Sequence, residues 1–273
     1  MKQSASLPRG ISPGLELGCV VVLAATAFFA IPLSLGEMGL SWDALNHHIY
    51  LGWTAEAPRF DLDVLAASYQ SYQFPYLYWP VYKIATSGLD GREAGVVLAL
   101  LHLLAVPPVW MIARCCISGQ SAFDAAMRIA GVILAFLSGV ILSLFDSTAN
   151  DLLAAIPFVW ALAWAMIALQ PEAHRQERWR LVLAAGFLAG VSIAFKLSNA
   201  PLCVVFPILW GAAGRSRSTR MAFPILGGLT SFLGFIVIYG YWGWQLWLHF
   251  GNPVFPYAHS LFEPLREMSG WHP

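Results

Sequence analysis

The sequence predicts an all-α fold, a polytopic bundle of transmembrane helices with about seven spans. Three observations predict it. Of the 273 residues, 58% are hydrophobic and only 11% are charged, whereas a soluble globular domain carries about 25% charged residues. The apolar residues gather in six runs, at 15–35, 94–113, 129–145, 151–169, 181–213 and 221–243, each of a length that can cross the hydrocarbon core as helix, which takes about 17 to 25 residues. The basic residues of the connecting segments alternate in the manner of the positive-inside rule.

The first run, with Lys2 and Arg9 ahead of it, looks superficially like a secretory signal. Its apolar stretch exceeds the about 7 to 15 residues of a signal h-region, so it reads as a signal anchor that stays in the protein. The run 181–213 carries Lys196 as its one charge and is too long for a single span. A split near 196–201, where Ser198, Asn199 and Pro201 follow the lysine, yields seven spans. With the N-terminus in the cytoplasm, ten of the 15 lysines and arginines fall inside, including Arg114, Arg128 and the cluster Arg215, Arg217 and Arg220. Eleven of the 15 acidic residues fall outside. Acids contribute little to topology, so their asymmetry says something further: carboxylates gather on the extracytoplasmic face.

That face also receives the two long segments, a loop at 37–93 and a tail at 244–273; residues 1–243, loop included, form the membrane module. The loop is too apolar to be solvated, with Tyr69, Tyr72, Phe74, Tyr76, Tyr78, Trp79 and Tyr82 crowded before Lys83. Tyrosine and tryptophan concentrate where bilayer meets water, so 42–54 and 61–72 read as amphipathic helices lying in that interface. Glycine pairs at Gly186/Gly190, Gly211/Gly214, Gly227/Gly228 and Gly234/Gly240 suit close helix packing in lipid. The formal net charge of zero leaves no basic surface for nucleic acid. The four cysteines lie in or beside apolar runs without metal-ligand spacing, so neither a zinc site nor a disulfide framework is expected.

Polar residues at the membrane boundary carry the candidate chemistry. Asp43 follows the first span, and on a helix over 42–54 it shares a face with His47 four residues on, with His48 beside it. The competing reading is an N-capping aspartate with a structural histidine. Asp146 and Asp151 return carboxylates to the same face in the turn between the third and fourth spans, where capping of the fourth helix is the alternative. Lys196, ionisable within an apolar run, is a functional candidate by default; the alternative is a snorkelling lysine. The three elements would converge on a pocket at lipid level whose ammonium suits an anionic lipid headgroup and whose carboxylate suits a hydroxyl acceptor. Asp61 and Asp63 have the spacing of an Asp-x-Asp pair for a divalent cation, magnesium or manganese, or of a solvated helix N-terminus.

Trp42, Asp43, Asn46, His47 and His48 after the first span, Gly186 and Gly190 followed by Lys196, and Gly251, Asn252, Pro253 and Pro256 after the seventh together resemble the bacterial membrane glycosyltransferases of the GT-C superfamily, relatives of the protein mannosyltransferases and aminoarabinose transferases. The resemblance spans nearly the whole chain and rests on the order of its motifs and on the long first outer loop. It implies transfer of a sugar from a polyprenyl-phosphate donor to a glycan, lipid or protein acceptor outside the bacterial inner membrane. Asp43 would act as the catalytic aspartate, with inversion at the anomeric carbon. His47, His48, Lys196, Asp146, Asp151 and Asn252 would bind substrate, Lys196 at the departing phosphate and Asn252 closing the pocket unless it merely makes a Gly-Asn-Pro turn. Members commonly carry more spans and an outer domain, so the chain is expected to be a minimal member or an N-terminal portion. Two other classes compete: a transporter or flippase for a lipid-linked or anionic substrate, which inverted repeats would favour and none is visible, and a noncatalytic membrane subunit.

Overall fold

The computed structural model describes residues 11–272 except Leu40, Leu65 and Asp146; the flanking Lys2 and Arg9 and the candidate Asp146 lie outside the described residues. The chain is a helical bundle. Helix α1 (Pro13–Leu35) begins at Ser12, whose hydroxyl accepts from the Leu15 N–H at 3.3 Å, and ends at Gly36 in the left-handed region. A π-helical turn at Ala44–His48 leads into α2 (Ile49–Thr54), followed by a short extended segment, β1 (Ala66–Tyr69), and by α3 (Trp79–Thr86). Helices α4 (Gly91–His102) and α5 (Val106–Cys116) form one path with a 3-10 turn between them, placed where Pro107 and Pro108 remove successive backbone donors. Then come α6 (Ala122–Phe136), α7 (Gly139–Leu144), α8 (Asp151–Leu169), α9 (Arg175–Phe195), α10 (Val205–Ala213), α11 (Arg217–Phe250) and α12 (Glu263–Ser269).

Five of these paths are long and apolar enough to cross a membrane: α1, α4 with α5, α8, α9 and α11. The other two expected spans are helical but interrupted. The run 129–145 is divided between α6 and α7 at Ser138, whose hydroxyl caps α7 through the Ile141 N–H at 3.3 Å. The run 181–213 breaks at Lys196 as expected, and its second half reaches α10 through two 3-10 turns around Pro201.

Helix α9 is the centre of the bundle, packed most extensively on α11 and then on α8. Its glycines make this possible: a side chain at Gly190 would run into the Ser231 carbonyl, and one at Gly186 into Gly227 and Thr230. Gly234 returns the favour against the Phe187 carbonyl, whereas Gly228 faces open space. Against α8 the seam is of fully buried alanines, Ala161, Ala165 and Ala168 facing Ala185 and Ala189, small residues that let backbones approach. A second core, around Phe28, Trp110, Phe136 and Phe145, joins α1, α5 and α6.

One end of the bundle is held by arginines. Arg178 donates to the Ala168, Gln170 and Pro171 carbonyls, and Arg215 to Leu169, satisfying the last carbonyls of α8. Arg128 forks onto Glu16 with both bonds at 2.6 Å, the pair almost wholly buried, while Trp110 Nε1 donates to the same carboxylate at 2.8 Å. The basic residues expected to act as topology anchors are thus also structural ties.

At the other end, α11 outruns the hydrocarbon. Its 34 residues measure about 51 Å at 1.5 Å per residue, against a core of about 30 Å. The helix therefore continues past the expected boundary at 243 and the tail begins only at Gly251, where a φ of +59° ends it. The overhang is a wall for the first loop: Phe74 of the loop packs with Ala194, Tyr239, Trp242 and Leu246, and Trp242 Nε1 donates to the Tyr72 carbonyl. The helix expected over 42–54 is present, with Trp42 and Leu45 exposed and Ala44, His47, His48 and Leu51 buried. The helix expected over 61–72 is not. A turn in which Asp63 N–H bonds the Arg59 carbonyl precedes β1, and Ser68 takes a φ of +54°, a conformation no helix accommodates.

Candidate functional site

Asp43 sits in the first turn of the helix that begins after Ser41. Ser41 performs the capping: its hydroxyl accepts from the Ala44 N–H at 3.1 Å, and Asp43 makes no side-chain capping bond. The Asp43 carboxylate is instead 55% exposed and stands 3.7 Å from His47 Nδ1, so the i, i+4 relation puts the two on one face as the spacing predicted. The π turn then directs two consecutive histidines inward, with ring centroids 4.4 Å apart. His48 stacks on Tyr78 at 5.0 Å and its Nδ1 lies 2.6 Å from the Thr148 hydroxyl. Burial, reinforced by the neighbouring His47, pushes the His48 pKa down to about 4. Burial lowers His47 as well, against the opposing pull of Asp43. Both rings are therefore neutral near pH 7.

Three segments far apart in sequence meet here. Gly39 forms a parallel bridge with Ser147, Thr148 holds His48, and Asp151 at the start of α8 is ion-paired with Lys196. Lys196 is extended, with φ −151° and ψ 109°, because α9 stops at Phe195. The backbone freed by that break is tied back to α8: Asn199 Nδ2 donates to Ser192 Oγ at 3.0 Å and to the Ala154 carbonyl at 3.2 Å, and Ser192 Oγ donates to the same carbonyl at 3.0 Å. Irregular backbone at membrane depth needs burial or a polar cavity, and here Lys196, Leu197 and Ser198 line a cavity.

The cavity has a volume of about 200 Å³ and is walled by Tyr72, Tyr78, Asn150, Lys196, Tyr239 and Phe255 among others. Tyr78 belongs to both parts of the site, lining the cavity and stacking on His48. Burial, with Asp151 and Asp43 adding negative charge nearby, raises its phenol well above the usual value. Asp43, His47 and His48 are not cavity-lining residues; the rings of His47 and His48 pack against that of Tyr78. A larger recess of about 720 Å³ lies at the arginine end beside Arg114 and Glu172, away from all of these groups.

The remaining candidates separate from this cluster. Asp63 is held by Arg59 at 2.5 and 3.2 Å and by the Tyr50 hydroxyl at 3.2 Å. Asp61 is 85% exposed, 3.6 Å from His249. The two carboxylates thus have different partners, and among the described residues no three His, Cys, Asp or Glu side chains come together as a metal site. Asn252 is fully buried, and its amide serves its own turn: Oδ1 accepts from the Val254 N–H and Nδ2 donates to the Tyr257 carbonyl. It shapes the wall containing Phe255 and Tyr257 rather than facing the cavity.

Tyr78, Thr148 and Asn150 were not expected in the site. The first was hidden in an aromatic run that reads as interfacial, and the others in a turn that reads as a helix cap. No family model, curated protein or solved structure matches the chain.

Proposed function

We propose that the chain is a glycosyltransferase of the GT-C type, with seven spans counting the two interrupted helices. It would move a sugar from a polyprenyl-phosphate donor to an acceptor hydroxyl at the extracytoplasmic face of the bacterial inner membrane. The observation that carries this reading is the convergence of Asp43 with His47, of the Thr148–Asp151 turn and of Lys196 at one end of an apolar bundle, beside a cavity of sugar size.

In this mechanism Asp43, exposed and uncapped, takes the proton of the acceptor hydroxyl. The acceptor oxygen attacks the anomeric carbon from the face opposite the phosphate, the bond from that carbon to the phosphate oxygen breaks, and the configuration inverts. The phosphate leaves with the bonding electrons, and Lys196, shared with Asp151, meets its charge. Neutral His48 stacks on Tyr78, and neutral His47 lies beside Asp43 without adding a second cation. No step uses Asp61 or Asp63.

A panel of radiolabelled polyprenyl-phosphate sugars offered to the purified protein in lipid tests the reading. Release of sugar from one donor, insensitive to chelator and reduced in Lys196→Met chiefly through weaker donor binding, is expected. A folded protein that releases no sugar from any donor but carries a lipid-linked substrate across vesicles would replace it with the transporter reading, which the helix break at Lys196 also suits.

A further inference from the structure

Asn150 occupies the N-cap position of α8, yet its side chain makes no capping bond. It is 3% exposed, it lines the cavity, and its Oδ1 is buried with no hydrogen-bond partner among the described residues. A buried acceptor left unpaired costs about 1 to 3 kcal/mol, so such an atom on a side chain that lines a cavity marks a place for a ligand's donor. The surroundings say which donor. Gln73 and Ser198 are the other uncharged polar, non-aromatic lining residues, and Tyr72, Tyr239 and Phe255 provide flat walls of the kind that the C–H face of a sugar ring lies against. Among the described residues Lys196 is the one charged side chain lining the cavity, and its charge is already matched by Asp151. Among the described residues no carboxylate lines the space. A cationic group would lose its hydration there without an anionic partner. The volume of about 200 Å³ equals about six or seven waters at about 30 Å³ each, the scale of one sugar ring with its hydroxyls.

We infer that the cavity receives a single uncharged sugar ring, that Asn150 Oδ1 accepts a hydrogen bond from one of its hydroxyls, and that amino sugars bearing a positive charge are rejected. The inference deepens the transferase reading by naming the class of group transferred, and it makes Asn150 a specificity-determining residue.

Free methyl glycosides test the cavity without calling on catalysis. The purified full chain in lipid nanodiscs would be titrated by saturation-transfer NMR with neutral methyl hexosides and with a methyl amino-glycoside below the pKa of its amine. Wild type is expected to bind a neutral glycoside and not the cationic one. Asn150→Leu should weaken the neutral glycoside about tenfold, the worth of one buried hydrogen bond. Asn150→Asp, which restores an acceptor and adds a negative charge, should gain binding of the amino-glycoside, a gain that misfolding cannot produce. Wild type that binds no neutral glycoside, or prefers the cationic one, overturns the inference, as does Asn150→Asp with the preference of wild type. Glycoside binding that depends on Asn150, found together with no turnover of any lipid donor, would sink the transferase reading and leave the sugar site standing.

Discussion

The Ser41 hydroxyl takes the capping role at the start of the first-loop helix, and for that reason the Asp43 carboxylate is available for chemistry although a helix N-terminus is where an aspartate is most often structural. Asp43, His47 and Lys196 were legible as candidates because charge is scarce in this chain and i, i+4 spacing has a fixed meaning on a helix. Tyr78 and Asn150 were not, because what sets them apart is the stacking on His48 and an unfilled acceptor, and neither leaves a mark in local sequence. The buried histidines make a pH prediction. The His48 pKa falls from 6.5 in the unfolded chain to about 4 in the fold, so between those values the unfolded state binds more protons. The stabilisation by neutral His48 is complete above about pH 6.5 and is lost as pH falls towards 4. Thermal unfolding midpoints should drop across that window, and His48→Gln, which cannot titrate, should flatten the drop. An unchanged slope in the variant would contradict a buried neutral imidazole.

At the scale of elements, most helices were readable from apolar run length, and the break at Lys196 from the charge and the Ser198–Pro201 signal. The division of the third run at Ser138 was hidden because its flanks are equally apolar, and 61–72 was misread because a turn held by Arg59 and Asp63 resembles an amphipathic pattern in a short window. The glycines of α9 and α11 separate packing from mere occurrence. Gly190→Ala should destabilise the protein by about 1 to 3 kcal/mol through overpacking against the Ser231 backbone, since nothing flexible is in the way. Gly228→Ala meets open space and should be neutral or stabilising by up to about 1 kcal/mol, as alanine is the better helix former. Unfolding of the two variants in detergent checks the contrast, and equal effects would refute the α9–α11 seam.

The whole molecule is a helical bundle with a cavity beside Lys196 at one end and arginine ties at the other. Membrane character was plain from composition; convergence of Asp43, the 146–151 turn and Lys196 was expected only because the topology put them on one face, and the contacts His48–Thr148 and Asp151–Lys196 needed tertiary structure. At the arginine end the Glu16–Arg128 fork ties α1 to α6. Arg128→Met alone leaves a buried carboxylate and should cost about 3 to 5 kcal/mol, whereas adding Glu16→Gln should recover a good part of it. Additive losses in that double-mutant cycle would mean that the two side chains do not act as a pair. The proposed role of Asp43 as the base of sugar transfer is tested by turnover set beside donor binding for wild type and Asp43→Asn in the same lipid. Donor binding is expected to stay within about twofold while turnover falls by about 10²- to 10⁴-fold, the usual worth of a general base. Turnover retained in Asp43→Asn, or lost only in proportion to donor binding, would contradict it.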